Sequence, residues 1–357
     1  MAKYAKRADG RYSTSVTVGK KPDGKPKIKV LYGKTIKELD DKVADFKAQA
    51  NKGIIIDYKQ LTLEMWALKW LELYKKNKTY NTYQMYKNAV ETHIVPFLGN
   101  YRLSQLKKHQ LQELLNDLIE KGNHRTAEIV RLSLKQIINS AIDEQYIFVD
   151  VSHGLALPKK PRNEKRALTN DEINLIAEAE LTKHERLFIS CLLYCGLRRG
   201  EALALTKRDV DISSGVIYVK NVVVFENNKS VIKNMPKSDA GIRIIPIPDK
   251  LMAILQPYMM ECGNILFPMQ TKEDFMTKSS FRKFWDGIIK KSGLPDDVTP
   301  HILRHTYATK LFYGGVDVKT AQKLLGHSNI QMTLDIYTHL QNDAEKIKNQ
   351  LNNAFNF

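Results

Sequence analysis

The fold and chemistry of this chain turn on the stretch Thr299-Pro300-His301-Ile302-Leu303-Arg304-His305-Thr306, followed by Leu324-Leu325-Gly326-His327 and then Tyr337. His301 and Arg304 stand at i, i+3, the spacing that sets two side chains on one helix face. A second imidazole, His327, follows a glycine of the kind that ends helices, and Tyr337 lies ten positions further on (337 − 327). These are phosphate-binding and proton-handling groups, with a phenol among them as a candidate nucleophile.

Upstream residues extend the set. Arg198 comes just after Gly196 in an otherwise apolar setting, where a charged side chain needs an anionic partner. Its fork suits bidentate phosphate binding, while Glu201, three residues on, offers a plain salt bridge; the two readings are compatible. Lys237, in Pro236-Lys237-Ser238-Asp239-Ala240-Gly241, reads as a hairpin-tip lysine, a position that is ordinarily just solvated. His301 and His305 at i, i+4 match the spacing of helical zinc ligands. However, no glutamate lies between them, Arg304 would place a positive charge beside the ion, and no cysteine is close. Asp209 and Asp211 lack a third acid in a recognisable pattern and read as a polar turn. No serine sits in a glycine-flanked elbow. Metal-free attack on a phosphate fits better, because fixed Arg and His donors stabilise the charge that builds on the non-bridging oxygens. A tyrosine nucleophile conserves the energy of the broken bond, so strands can be rejoined without ATP.

Composition points to the substrate. The 357 residues leave room for two or three domains and carry a formal charge of +17 with a pI of about 9.5. A surplus of that size attracts a polyanion, nucleic acid ahead of anionic lipid, against the plainer reading of a solvated basic surface. Met1 to Arg7 lacks the apolar core of a signal peptide, and no apolar run approaches a membrane span. Cys191, Cys195 and Cys262 form neither a metal-ligand spacing nor an even disulfide set. A cytoplasmic protein is expected, with Cys191 and Cys195 as core residues.

Residues 1–55 form a first expected domain; within it residues 1–53 hold 14 Lys/Arg against 6 Asp/Glu. Period-two patterns at Tyr12–Val18 and Lys27–Tyr32 flank a turn from Gly19 to Lys25. Thr35 with Glu38 then caps a helix running to about Ala50. A small basic three-stranded sheet with one helix can lay its strands in a major groove, with Lys20, Lys27 and Lys29 as phosphate contacts; the alternative is a basic edge hairpin without a ligand. Residues 60–157 read as an all-α module of four or five helices, the second stopping near Pro96. Its Lys75, Lys76 and Lys78 could face a phosphate backbone or be simply solvated. Residues 158–168, with Lys159, Lys160 and Arg162, read as a charged linker suited to lying along DNA. Thr169 with Glu172 opens a mainly helical domain over 169–340 with a small antiparallel sheet inserted, its strands at Val216–Val219, Val222–Phe225 and Ile242–Ile247. The tail, 341–357, has apolar residues at helical spacing.

These residues, taken together, resemble the tyrosine recombinases, specifically integrases of the lambda type from phages and conjugative transposons. Gly196-Leu197-Arg198-Arg199-Gly200-Glu201-Ala202-Leu203 is similar to the segment bearing that family's first catalytic arginine. Lys237, His301-Ile302-Leu303-Arg304, Leu324-Leu325-Gly326-His327 and Ile336-Tyr337-Thr338-His339 match its other motifs, in order and with compatible gaps. The resemblance implies a multidomain, mainly α fold: an arm-type DNA-binding domain, a helical core-binding domain and an α+β catalytic domain. It implies catalytic roles for Arg198, Lys237, His301, Arg304, His327 and the nucleophile Tyr337, with Glu201 in support and no cofactor. It further implies a homotetramer on double-stranded DNA with core-type and arm-type sites, a 3′-phosphotyrosine intermediate and a Holliday junction. Host bending factors and an excisionase would be partners, the tail would pack on a neighbouring protomer, and the setting would be the nucleoid of a bacterial host. Val149-Asp150-Val151 departs from the family's frequent Asn-Pro. Two rival functions are a non-catalytic DNA-binding regulator on the same scaffold and a type IB topoisomerase-like relaxing enzyme.

Overall fold

A computed structural model describes residues 4–7, 9–20, 26–51, 60–158, 166–235, 242–269 and 272–340. The chain falls into two compact units, Met1–Pro161 and Arg162–Phe357.

In the first unit, β1 (Ala5–Lys6), β2 (Tyr12–Lys20) and β3 (Pro26–Gly33) make an antiparallel sheet in that order. The register runs from Tyr12 opposite Gly33 to Thr17 opposite Ile28. α1 (Ile36–Asn51) starts where the capping pattern places it: Glu38 N–H donates to Thr35 Oγ1 at 3.1 Å, and the Glu38 carboxylate accepts from Lys34 N–H at 2.8 Å.

The all-α module consists of α2 (Leu63–Trp70), α3 (Tyr80–Asn88), α4 (Val95–Leu98), α5 (Lys108–Glu120) and α6 (His124–Asp143). Trp66 and Trp70 anchor its core; Trp66 Nε1 donates to the Ile137 carbonyl at 3.0 Å, and each indole meets a tyrosine ring edge-on, Tyr146 and Tyr86 respectively. Periodicity predicts a helix stop near Pro96, and the structure corrects it. α2 and α3 pass directly into π-helical turns, Leu71–Lys75 and Ala89–Ile94, and the second carries the helix through Pro96 to Leu98. Val95 N–H reaches back five residues to Val90, and this wider turn accommodates a ring that would otherwise crowd the preceding carbonyl.

In the second unit, α7 (Asn170–Glu178) and α8 (Lys183–Cys195) both open on Thr/Glu capping boxes. The short α9 (Arg199–Leu203) follows, then β4 (Val210–Asp211), β5 (Val216–Val219), β6 (Asn221–Glu226), β7 (Lys229–Asn234) and β8 (Arg243–Pro246). After α10 (Asp249–Glu261) come β9 (Pro268–Met269) and β10 (Lys272–Phe275), then α11 (Lys278–Ser292), α12 (Pro300–Tyr313), α13 (Val318–Leu325) and α14 (Gln331–Leu340). The core lies around α8, where Leu187, Phe188 and Leu192 are buried with Ile217, Ile245 and Phe267.

The single inserted sheet expected here is three separate ones: β4-β5-β8, β6-β7 and β10-β9. β7 was not expected, because Lys229-Ser230-Val231-Ile232-Lys233-Asn234 has only two apolar residues, adjacent rather than alternating. The expected turn that carries Lys237 falls between β7 and β8, among residues that are not described. Among the described residues β7 pairs with β6 and β8 with β5. Position 237 itself lies outside the described residues, as do Lys159, Lys160, Arg162 and the 341–357 tail.

Candidate active site

Two glycines shape the site. Gly196 ends α8 at φ +60, and a Cβ there would fall 2.2 Å from the Tyr307 ring. Both the left-handed backbone and the close ring require glycine. The chain can then turn at once and present Arg198 at the start of α9. Gly326 ends α13 in the same conformation, φ +62, and delivers His327.

Three arginines from separate elements meet the C-terminal end of α13. Arg243 Nε donates to the Leu324 carbonyl at 2.9 Å, Arg304 donates to the Leu325 carbonyl, and Arg198 donates to the Gly326 carbonyl at 2.7 Å. Successive carbonyls that the helix leaves unpaired, at the negative end of its dipole, thus each hold a different guanidinium. Arg304 also donates to the Gly196 carbonyl at 2.6 Å, which ties α12 to the end of α8.

Glu201 is the counter-charge. Its carboxylate is fully buried and accepts from Arg198 NH1 at 2.7 Å and from Arg243 at 3.1 and 2.7 Å, with Arg304 3.9 Å away. The same carboxylate accepts from the Arg198 backbone N–H at 2.7 Å, so α9 begins at Arg199. Burial pushes Glu201 up, but the Arg243 hydrogen bonds and the three positive charges more than reverse this and leave it at about 2. Burial and the charge of Arg198 lower Arg304 to about 9, still cationic at pH 7. Three cations against one carboxylate leave an excess of two positive charges, and Arg198 is the arginine with solvent access, 35% exposed against 3% and 4% for Arg243 and Arg304.

His327 is buried beside them, and its Nδ1 is 2.9 Å from the hydroxyl of the fully buried Thr333. Burial first, then the charges of the three arginines and His301, lower it to about 4, so the ring is neutral at pH 7. His301 stands in the first turn of α12 and is exposed, one turn before the buried Arg304. His305 is half-buried.

Tyr337 on α14 is 5% exposed, with its ring edge-on to Phe312 at 5.0 Å. Its hydroxyl donates to the Val316 carbonyl at 3.0 Å, and burial, with Asp317 nearby, raises its pKa. The structure therefore gathers Arg198, Glu201 and Arg304 into one cluster with His327 beside it, bonded to Thr333, and holds the Tyr337 hydroxyl on a separate partner. Asp209 and Asp211 close local turns, accepting from Thr206 and from Ser213 and Ser214.

Among the lysines singled out as phosphate contacts, Lys75 has a different setting. It is buried, 4.6 Å from the Trp70 ring centre and 4.5 Å from that of Tyr86, and it donates to Gln136 Oε1 at 2.5 Å. This ammonium is committed to the module's interior, whereas Lys76 and Lys78 are exposed. Lys20 ends β2, and Lys27 and Lys29 belong to β3; their side chains lie outside the described residues.

Sequence reasoning missed Arg243 and Thr333. For Arg243 a signal existed: it alternates in phase with Ile245, so the pattern assigns a charged residue to the buried face of β8. For Thr333 there was none.

Comparison with known proteins follows the same lines. Residues 166–344 match the family described as phage integrase family, and residues 62–119 match the phage integrase N-terminal SAM-like domain. A tyrosine recombinase XerC-like protein of Caldanaerobacter subterraneus subsp. tengcongensis is 30% identical over 373 residues, covering 94% of this chain and 94% of that protein. Tyrosine recombinase XerA of Thermococcus kodakarensis is 34% identical over 212 residues, 56% of this chain and 68% of its own. Among solved structures, a Tn1549 transposon integrase in complex with transposon right end DNA is 26% identical, with a TM-score of 0.65 over 78% of this chain and 95% of that one. A lambda integrase dimer bound to a COC′ core site, 18% identical, shares the fold with a TM-score of 0.62 over 94% of each chain. By its matched domains and its full-length relative, the chain belongs to the phage integrase family of tyrosine recombinases and is a site-specific recombinase.

Proposed function

We propose that this recombinase is the integrase of a mobile element such as a prophage or transposon, and that the arginine cluster is its phosphate site. The observation that carries this reading is the charge balance: three guanidiniums around one buried carboxylate, with a neutral imidazole alongside. Such a site is short of negative charge and is preorganised for the oxygens of a phosphodiester in its transition state. In the reaction, Tyr337 Oη attacks the scissile phosphorus and the bond to the 5′ oxygen breaks. Arg198, Arg304, His301 and His327 hold the non-bridging oxygens. Lys237 gives a proton to the departing 5′ oxygen, and the phenol's proton passes to a neutral imidazole, a state in which His327 stands at pH 7. A partner strand's 5′ hydroxyl then displaces the tyrosine, and two rounds pass through a Holliday junction in a tetramer.

Residues 60–157 and 169–340 are read as the core-binding and catalytic domains, 158–168 as the linker, 1–55 as the arm-binding domain and 341–357 as the segment that packs on a neighbour. Double-stranded DNA is the partner, which suits the +17 charge; a host bending factor and an excisionase complete the reading. The test uses nicked suicide duplexes tiled across the DNA on both sides of the gene. One duplex should trap a covalent protein–DNA complex and support exchange with a second duplex. Sequence-specific binding without a covalent complex would instead assign a regulator, and plasmid relaxation without exchange a topoisomerase-like enzyme.

A further inference from the structure

We propose that Arg243 is a positioning residue of the active site: it takes up the charge of Glu201, so that Arg198 and Arg304 keep theirs for the phosphate. The proposal rests on the reading of those two arginines given above. The geometry divides the labour. Arg243 spans both carboxylate oxygens and spends its Nε on Leu324, so all three contacts face the interior. Arg198 makes one side-chain contact to the carboxylate and stays partly open to solvent, and Arg304 stands off at 3.9 Å.

Glu201 is required structurally. It caps α9 through the Arg198 backbone and holds the guanidinium. A fully buried carboxylate with fewer partners would be drawn onto whatever cation remained, since charges attract strongly where water is excluded. Without Arg243, those cations are Arg198 and Arg304, and a carboxylate drawn onto them competes with the phosphate. Arg243 also joins β8 to α9 and to the last turn of α13, elements far apart in sequence, so one side chain ties the segment that bears Arg198 to the helix end that delivers His327.

A charge-relieving role has a signature that a packing role lacks. On a nicked duplex cleaved by the wild type, Arg243→Met should slow single-turnover cleavage about a hundredfold, the scale of one lost transition-state donor. DNA affinity should stay within about threefold, because backbone contacts elsewhere dominate it. Removing the competing charge as well, in Arg243→Met with Glu201→Gln, should restore at least about tenfold of the lost rate, a coupling that a double-mutant cycle reads directly. Arg243→Lys, which keeps the cation but not the fork, should remain within about tenfold of wild type, and it stands in if the Met variant fails to fold. A double variant as slow as Arg243→Met, a Lys variant as slow as the Met variant, or an Arg243→Met protein at wild-type rate would each overturn the proposal. Failure of the wild type to cleave any duplex would instead overturn the reading of the arginine cluster as a catalytic phosphate site, and the role of Arg243 with it.

Discussion

The hydroxyl of Tyr337 donates to the backbone carbonyl of Val316 at 3.0 Å, while the arginine cluster is bonded together around Glu201 without it. The two halves of the site are thus built separately. If Tyr337 is the nucleophile, attack on a phosphate requires the phenol to give up this bond. Nitration should read this, because it follows exposure and phenolate character. In the free protein Tyr337 should react more slowly than Tyr74, Tyr101 and Tyr313, which are 41%, 42% and 41% exposed. In a non-covalent DNA complex its rate should rise; equal rates in both states would contradict the account.

Acid should weaken the second unit in two stages. His327 falls from an ordinary 6.5 to about 4 on folding, so the unfolded chain binds more protons between those values. Its contribution is complete above pH 6.5 and is lost as pH falls toward 4. At pH 5.5 the loss is about 1 kcal/mol. Glu201, lowered from 4.5 to about 2, adds stability present above pH 4.5 and lost as pH falls to 2. In denaturant titrations at pH 7.5 and 5.5, His327→Asn should show a smaller drop than wild type. An identical drop would remove His327 as the cause.

The lysines of the helical module should separate. Lys75→Met should leave DNA affinity and its salt dependence unchanged, since its ammonium lies against Trp70 and Tyr86. If Lys76 and Lys78 contact phosphates, replacing either with Ala should reduce the slope of log K against log salt by about one. Fluorescence anisotropy across a salt series measures both.

Much of this was legible in the sequence, for reasons of different kinds. The Thr35 and Thr169 helix starts are local chemistry, and each threonine caps as its own few residues dictate. The site motifs were legible because Gly196 and Gly326 fix turns that no other residue takes easily. What escaped was long-range. Whether Lys75 faces phosphate or lies against Trp70 depends on Gln136, sixty-one positions away. The Arg243–Glu201 pair spans forty-two positions, and nothing within either segment names the other. The helix through Pro96 defeated the usual rule because the turn before it is π rather than α.

Lys237 lies outside the described residues, so its role is tested by chemistry alone. Lys237→Ala should abolish detectable cleavage of an ordinary duplex. On a duplex with sulfur in place of the bridging 5′ oxygen, it should recover to near the wild-type rate, because a thiolate leaves without a proton. Equal loss on both substrates would rule out the general-acid role.

The account stands on Tyr337 as nucleophile, and the most direct measurement is the site of covalent attachment. The protein is trapped on a nicked duplex, digested with protease and nuclease, and the nucleotide-bearing peptide is mapped by mass spectrometry. The predicted result is a 3′-phosphate on Tyr337 in wild type and no adduct in Tyr337→Phe, whose stability should fall by only about 1 kcal/mol for the lost bond to Val316. An adduct on any other residue, or one that persists in Tyr337→Phe, would contradict it.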